Sequence, residues 1–117
     1  MGPHRVNIIN LLNLVASKDQ QLQYMRMAPV NVAFELVNQW FDDFYHPTDV
    51  HFASEFSIEE LKLLKDFDDL YETRLPLLPD SAEKLMSTPA WHEVMTQAGV
   101  VLDACGWRGL DAHYEVE

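Results

Sequence analysis

Apolar residues recur at steps of three and four along almost the whole chain, the spacing of one face of an α-helix. From Arg5 onward Ile8, Leu11, Leu12 and Val15 form such a stripe, which Leu22 and Met25 continue, with Asn7, Asn10 and Asn13 on the opposing polar edge. Ser17 followed by Gln20 is a helix-start signal, so the segment before Pro29 reads as one bent helix or two short ones. Next, Val30, Ala33, Phe34, Val37, Trp40, Phe41 and Phe44 line one side of a segment. Asn31, Glu35, Asn38 and Asp42 line its other side, with Gln39 and Asp43 beside them. This predicts an amphipathic helix of about four turns, ending near His46 because Pro47 pushes its predecessor out of the α region. Residues 46–56 read as a loop.

Ser57 and Glu60 make a capping box for a helix running to Arg74. Its apolar arc is Leu61, Leu63, Leu64, Phe67, Leu70, Tyr71 and Leu75, and its wet side Glu59, Lys62, Asp66, Asp69 and Thr73. Pro76 and Pro79 break that helix. Asp80 with Glu83 offers a second capping box for a short helix over 81–87. Thr88 before Pro89 signals a last helix, carried by Trp91, Val94, Met95, Ala98, Val101, Leu102 and Cys105 and stopped by Gly106. The end, His113 to Glu117, fits a short strand or a frayed terminus. The expected fold is all-α, a single domain over 1–117 built as a bundle of four to five helices. Short connections are expected at 28–30, 75–80 and 87–89.

Composition agrees with one core: 117 residues, 48% apolar and 11% aromatic, are enough for a single domain and too few for two. Cys105 is the one cysteine, which excludes an internal disulfide and suits a reducing compartment. No apolar run approaches the roughly 18 residues of a membrane span. Arg5 ahead of the Ile8 to Ala16 stretch resembles a signal peptide only until Asn10 and Asn13 interrupt it, and no small-x-small cleavage site follows. The segment is read as part of the fold and the protein as cytoplasmic.

Charge changes the picture most. The first 34 residues have a balance of +2, from Arg5, Lys18 and Arg26 against Asp19. The other 83 carry 18 acids against five bases, and the total is −11. Self-repulsion of this size opposes compaction, and a basic partner gives it a purpose. The run from Glu55 to Glu72 alone is net −5: Glu55, Glu59, Glu60, Asp66, Asp68, Asp69 and Glu72 against Lys62 and Lys65. Pairs Lys62–Asp66 and Lys65–Asp69 at helical i,i+4 spacing contribute about 0.3 kcal/mol each, and five acids are left over. Direct nucleic-acid binding is disfavoured, because it draws on clustered Lys and Arg and the eight bases here are scattered.

Catalytic chemistry finds no foothold. His46, Asp49 and His51 lie close together in the expected loop, but the order is the reverse of a His-x-carboxylate metal pair, and two exposed histidines in a loop are the reading adopted. A small metal-dependent enzyme using those three residues stays as the least favoured alternative. His92-Glu93 lacks the second His of a zinc-protease helix. Cys105, on an apolar stripe at a helix C-terminus, is expected to be a buried, unreactive core thiol. No Gly-x-Ser-x-Gly elbow or phosphate-cradling glycine loop exists. The expectation is a non-enzymatic binding protein with no cofactor and no metal.

The candidate binding residues are therefore the acids and one neighbouring aromatic: Asp42, Asp43, Tyr45, Glu55, Glu59, Asp66, Asp69 and Glu72. Carboxylates beside aromatics suit a patch that captures a basic surface. Trp40 and Phe41 are expected in the core, whereas Tyr45, at a helix end, is expected to be exposed.

In texture, Phe56 to Tyr71 (FSIEELKLLKDFDDLY) and Leu85 to Met95 (LMSTPAWHEVM), set in a small acidic helical chain, resemble the immunity proteins of contact-dependent growth inhibition and related polymorphic toxin systems. The basic opening segment departs from that texture. The resemblance implies a partner: a basic, nuclease-type toxin domain, held by steered electrostatic association so that its active site or substrate cleft is occluded. The alternatives are a nucleic-acid-mimicking regulator, using the same acidic face against many basic proteins, and a plain helical adaptor.

Overall fold

The computed structural model describes residues 2–27 and 31–110. Seven α-helices follow one another: α1 Pro3–Val15, α2 Lys18–Met27, α3 Val32–Asn38, α4 Val50–Ser54, α5 Ile58–Arg74, α6 Ala82–Leu85 and α7 Pro89–Cys105. A π-helical turn, Gln39–Phe44, extends α3, and a 3-10 turn, Leu75–Leu77, follows α5. No strand occurs among the described residues. The all-α expectation holds; the count of four to five helices does not. The first apolar stretch breaks into α1 and α2, with Gln20 N–H donating to Ser17 Oγ at 3.2 Å, and the expected loop 46–56 contains α4, capped by Asp49.

α1 is buried around most of its circumference, through Val6, Ile8, Ile9, Leu11, Leu12 and Val15. It packs against α7, α2 and the π turn, while α5 packs against α7. The core between them is one cluster that includes Trp40, Phe52, Phe67, Tyr71, Trp91 and Trp107. Two of its indole N–H groups need partners, because a buried donor left unpaired costs about 1–3 kcal/mol. Trp91 Nε1 donates to Gln21 Oε1 at 3.0 Å. Gln21, fully buried, passes its own Nε2 to the carbonyls of Leu14 and Val15 at 3.0 and 2.8 Å. One amide thus satisfies the frayed end of α1 and ties it to α7. Trp40 Nε1 donates to Asp68 Oδ1 at 2.9 Å.

Two expectations for this segment are corrected. Residues five apart in an α-helix point about 140° away from each other, whereas an i→i+5 turn brings them to one side. Tyr45 N–H donates to Trp40 C=O at 3.1 Å, and the Tyr45 ring stacks on Trp40 with centroids 4.6 Å apart and planes 11° apart. Tyr45 is therefore buried rather than exposed. Phe34, assigned to the apolar side of a straight helix, is 65% exposed, because α3 buries Val32, Ala33 and Leu36 instead.

Helix ends follow the sequence in part. The Ser57–Glu60 capping box forms in full, at 3.1 and 2.9 Å. At α6 the cap is Ser81, one residue beyond Asp80, and the helix closes at Leu85. Thr88 precedes α7 without capping it; its hydroxyl donates to Lys84 C=O at 2.8 Å instead. Gly106 stops α7 at φ 73°, and Trp107 N–H donates back to Leu102 C=O at 2.8 Å, a Schellman arrangement that folds Trp107 into the core. Asn13 then holds the following loop, accepting from Gly109 N–H at 2.8 Å and donating to Trp107 C=O at 3.0 Å. The expectation of a strand or frayed end over His113 to Glu117 lies outside the described residues.

Gln21→Leu is expected to cost about 2–4 kcal/mol, since it strands the Trp91 N–H in the core. Tyr71 supplies the contrast: its hydroxyl is buried with no hydrogen-bond partner among the described residues, so Tyr71→Phe is expected to be neutral or to stabilise by up to about 1 kcal/mol. Urea denaturation midpoints of the two variants check both.

Candidate partner-binding surface

The structure divides the candidate acids into three groups. The first belongs to Arg5. Its guanidinium forms a two-pronged pair with Glu60, Nη1 to Oε1 at 2.8 Å and Nη2 to Oε2 at 2.9 Å, and Nη1 also donates to Glu55 C=O at 3.0 Å. The same cation lies over the rings of Phe56 and Trp107, 5.7 and 5.1 Å from their centroids. Glu55 turns the other way, its Oε1 accepting from Arg5 N–H at 3.0 Å. Gly2 carries no side chain to cap α1, and a Cβ there would run into the Glu55 carboxylate. Glu55 is thus the half-buried N-terminal cap of α1, supplied from a distant part of the chain, and it is already engaged. His4 Nε2 stands 3.9 Å from its other oxygen.

The second group is carried by two elements that meet at a ridge, the π turn and α5, joined by Trp40 and Asp68. Trp40–Asp68 and the edge-on pairs Trp40–Phe67 and Phe41–Tyr71, at 4.7 and 5.0 Å, fix that junction. Asp42 and Asp43 are exposed on the π turn, and Asp69 and Glu72 are exposed on α5. The Tyr45 phenol reports the local field: burial first, then the charges of Asp68 and Asp69, push it up to about 12. Lys65 pairs with Asp69 at 3.1 Å, a solvent-exposed pair of small energetic weight. Asp42, Asp43 and Glu72 have no ion-pair partner among the described residues. With Asp68 and Asp69 against Lys65, the ridge is net −4.

The third group, Glu59 and Asp66, lies on one edge of the exposed face of α5, with Lys62 between them along the helix axis. Both acids are exposed, and the expected Lys62–Asp66 ion pair is not formed among the described residues. Asp68 was not among the sequence candidates. Its signal was indirect: a tryptophan expected in the core needs an acceptor, but nothing along the chain says which one.

The loop histidines have other engagements. Asp49 Oδ1 accepts from His51 N–H at 2.8 Å as the cap of α4, and a His46 ring nitrogen lies 3.0 Å from Asp43 C=O. Among the described residues no group of three His, Cys, Asp or Glu could hold a metal. Cys105 is half-buried rather than fully enclosed, and burial pushes its thiol up, away from the thiolate. A groove of about 450 Å³ beside α7 is bordered by His92, Gly99, Asp103 and Arg108, but Asp103 and Arg108 neutralise each other at 2.6 Å. No helix among the described residues is long and apolar enough to cross a membrane.

Comparison with family models, with curated proteins and with solved structures finds no match to this chain.

The Arg5–Glu60 pair makes a pH prediction. The Arg5 hydrogen bonds hold the Glu60 carboxyl below its ordinary value, against the opposing effect of desolvation. A depressed folded-state value means that the stabilisation is complete above pH about 5 and is lost as pH falls through that value. Glu60→Gln is expected to be about 1–2 kcal/mol less stable than the native chain at pH 7. That gap should narrow progressively as pH falls below the ordinary carboxylate range, as read from urea midpoints across the series.

Proposed function

We propose that this chain is a binding protein that captures a basic protein domain on the Asp42, Asp43, Asp69 and Glu72 ridge. Its biological role in this reading is that of a cytoplasmic immunity protein against a nuclease-type toxin. The observation that carries the proposal is the exposure of Asp42, Asp43, Asp69 and Glu72 on two elements joined by Trp40 and Asp68; Asp42, Asp43 and Glu72 have no ion-pair partner among the described residues, and Asp69 has only the exposed Lys65. A fixed field of one sign raises association with an oppositely charged partner by about 10- to 1,000-fold. A nuclease is basic where it holds phosphates, so the same attraction brings the inhibitor to the cleft it must cover. Glu59 and Asp66 extend the field along α5. Glu55 and Tyr45, engaged inside the fold, act by shaping the surface and not by touching the partner. Discrimination between toxins follows from which carboxylates meet bases and which would be left desolvated and unpaired.

The test is the product of the adjacent reading frame. It should encode a basic C-terminal domain that arrests growth when expressed alone and is tolerated when co-expressed with this chain. Asp43→Lys with Glu72→Lys should slow association about tenfold at low salt, with dissociation little changed, while Glu59→Lys should have a smaller effect. Association indifferent to salt and to these reversals would refute the electrostatic mechanism. Equal binding to several unrelated basic nucleases would mark a nucleic-acid mimic instead.

A further inference from the structure

A cleft of about 230 Å³ separates α3 from the segment that follows α5. Phe34 and Val37 form one wall, Leu78 and Pro79 the other, and fully buried Leu85 the floor. The only charged residue lining it is Asp80, exposed and without an ion-pair partner among the described residues. The walls are tied together in advance: Asn31 caps α3 by accepting from Phe34 N–H at 3.4 Å, and its Nδ2 donates to Asp80 C=O at 2.6 Å. Phe34 stands 65% exposed, a large aromatic surface left out of the core beside an open apolar slot.

We infer that this cleft receives an arginine side chain of the partner protein, its methylenes between Phe34, Val37 and Leu78 and its guanidinium between the Phe34 ring and the Asp80 carboxylate. Arginine covers apolar surface with its stem while its head stays charged, stacks on aromatic faces and pairs with carboxylates through a planar fork. A purely apolar occupant would leave Asp80 without a counter-charge at the contact. A lysine would lose both the stacking and the fork. The inference rests on the partner being basic, and it places a second contact away from the α5 ridge, one that depends on shape as well as on charge. Steering by the ridge sets the rate of encounter, and filling the cleft slows departure.

The probe is the tripeptide acetyl-Ala-Arg-Ala-amide, titrated into the isotopically labelled chain at millimolar concentration, with the citrulline peptide as its uncharged isostere. The expected result is saturable shifts at the Phe34, Val37, Leu78 and Asp80 amides, at least fivefold weaker with citrulline. Asp80→Asn and Phe34→Ala, both at exposed positions, should each weaken binding about fivefold. Equal responses to the two peptides, or binding unaffected by both substitutions, would overturn the inference. The two proposals separate in the same spectra. Shifts confined to Asp68 through Glu72 remove the cleft and leave the acidic ridge standing, whereas shifts at neither place count against both.

Discussion

One cation organises this molecule. Arg5 sits in the first turn of α1 and meets Glu60 with both prongs of its guanidinium, the backbone of Glu55 with a third bond, and the faces of Phe56 and Trp107. It therefore joins the start of the chain to the α4–α5 junction and to the loop after α7. In a protein of net charge −11, the placement of so few bases decides which carboxylates belong to the fold and which remain for a partner. Arg5 takes Glu60 into the structure through its guanidinium and Glu55 through its backbone N–H. Further along α5, Asp68 accepts from Trp40, Asp69 meets only the exposed Lys65, and Asp66 and Glu72 have no ion-pair partner among the described residues.

Packing follows the same logic of scarce polar partners. The core is rich in aromatics, and the indoles of Trp40 and Trp91 would each leave a donor stranded. Asp68 answers one and Gln21 the other. Both answers also position something else: Gln21 gathers the end of α1, and Asp68 locks the π turn onto α5. The acidic ridge is a by-product of that second lock. The Tyr71 hydroxyl, with no hydrogen-bond partner among the described residues, sits where the ring packs against Phe41, Phe67 and Trp91.

For function, the division of acids matters more than their number. A charge run along a helix commonly means only a solvated face, and Glu59 and Asp66 with Lys62 among them fit that description. The ridge differs because its acids come from two elements, and Asp42, Asp43 and Glu72 have no ion-pair partner among the described residues. The cleft beside Phe34 adds an apolar slot with a single carboxylate at its edge.

By itself the sequence determined the secondary structure of the long segments and the identity of most of the core. Three- and four-residue spacing over Ile58–Arg74 and Pro89–Cys105, the Ser57–Glu60 box and Gly106 are local signals, and local backbone physics decides them. It also determined that the chain is acidic and that surplus carboxylates crowd residues 55–72. Tertiary structure alone decided the rest. The π turn that buries Tyr45 goes with the packing of Trp40 on Phe67 and Asp68 of α5, and Phe34 is left outside because α3 buries Val32, Ala33 and Leu36. Gln21 entered the core, and Glu55 came to cap α1, because donors and acceptors brought close only by folding had to be paired. Periodicity says which side of a helix is apolar; it does not say which charge, many residues away, will be standing opposite.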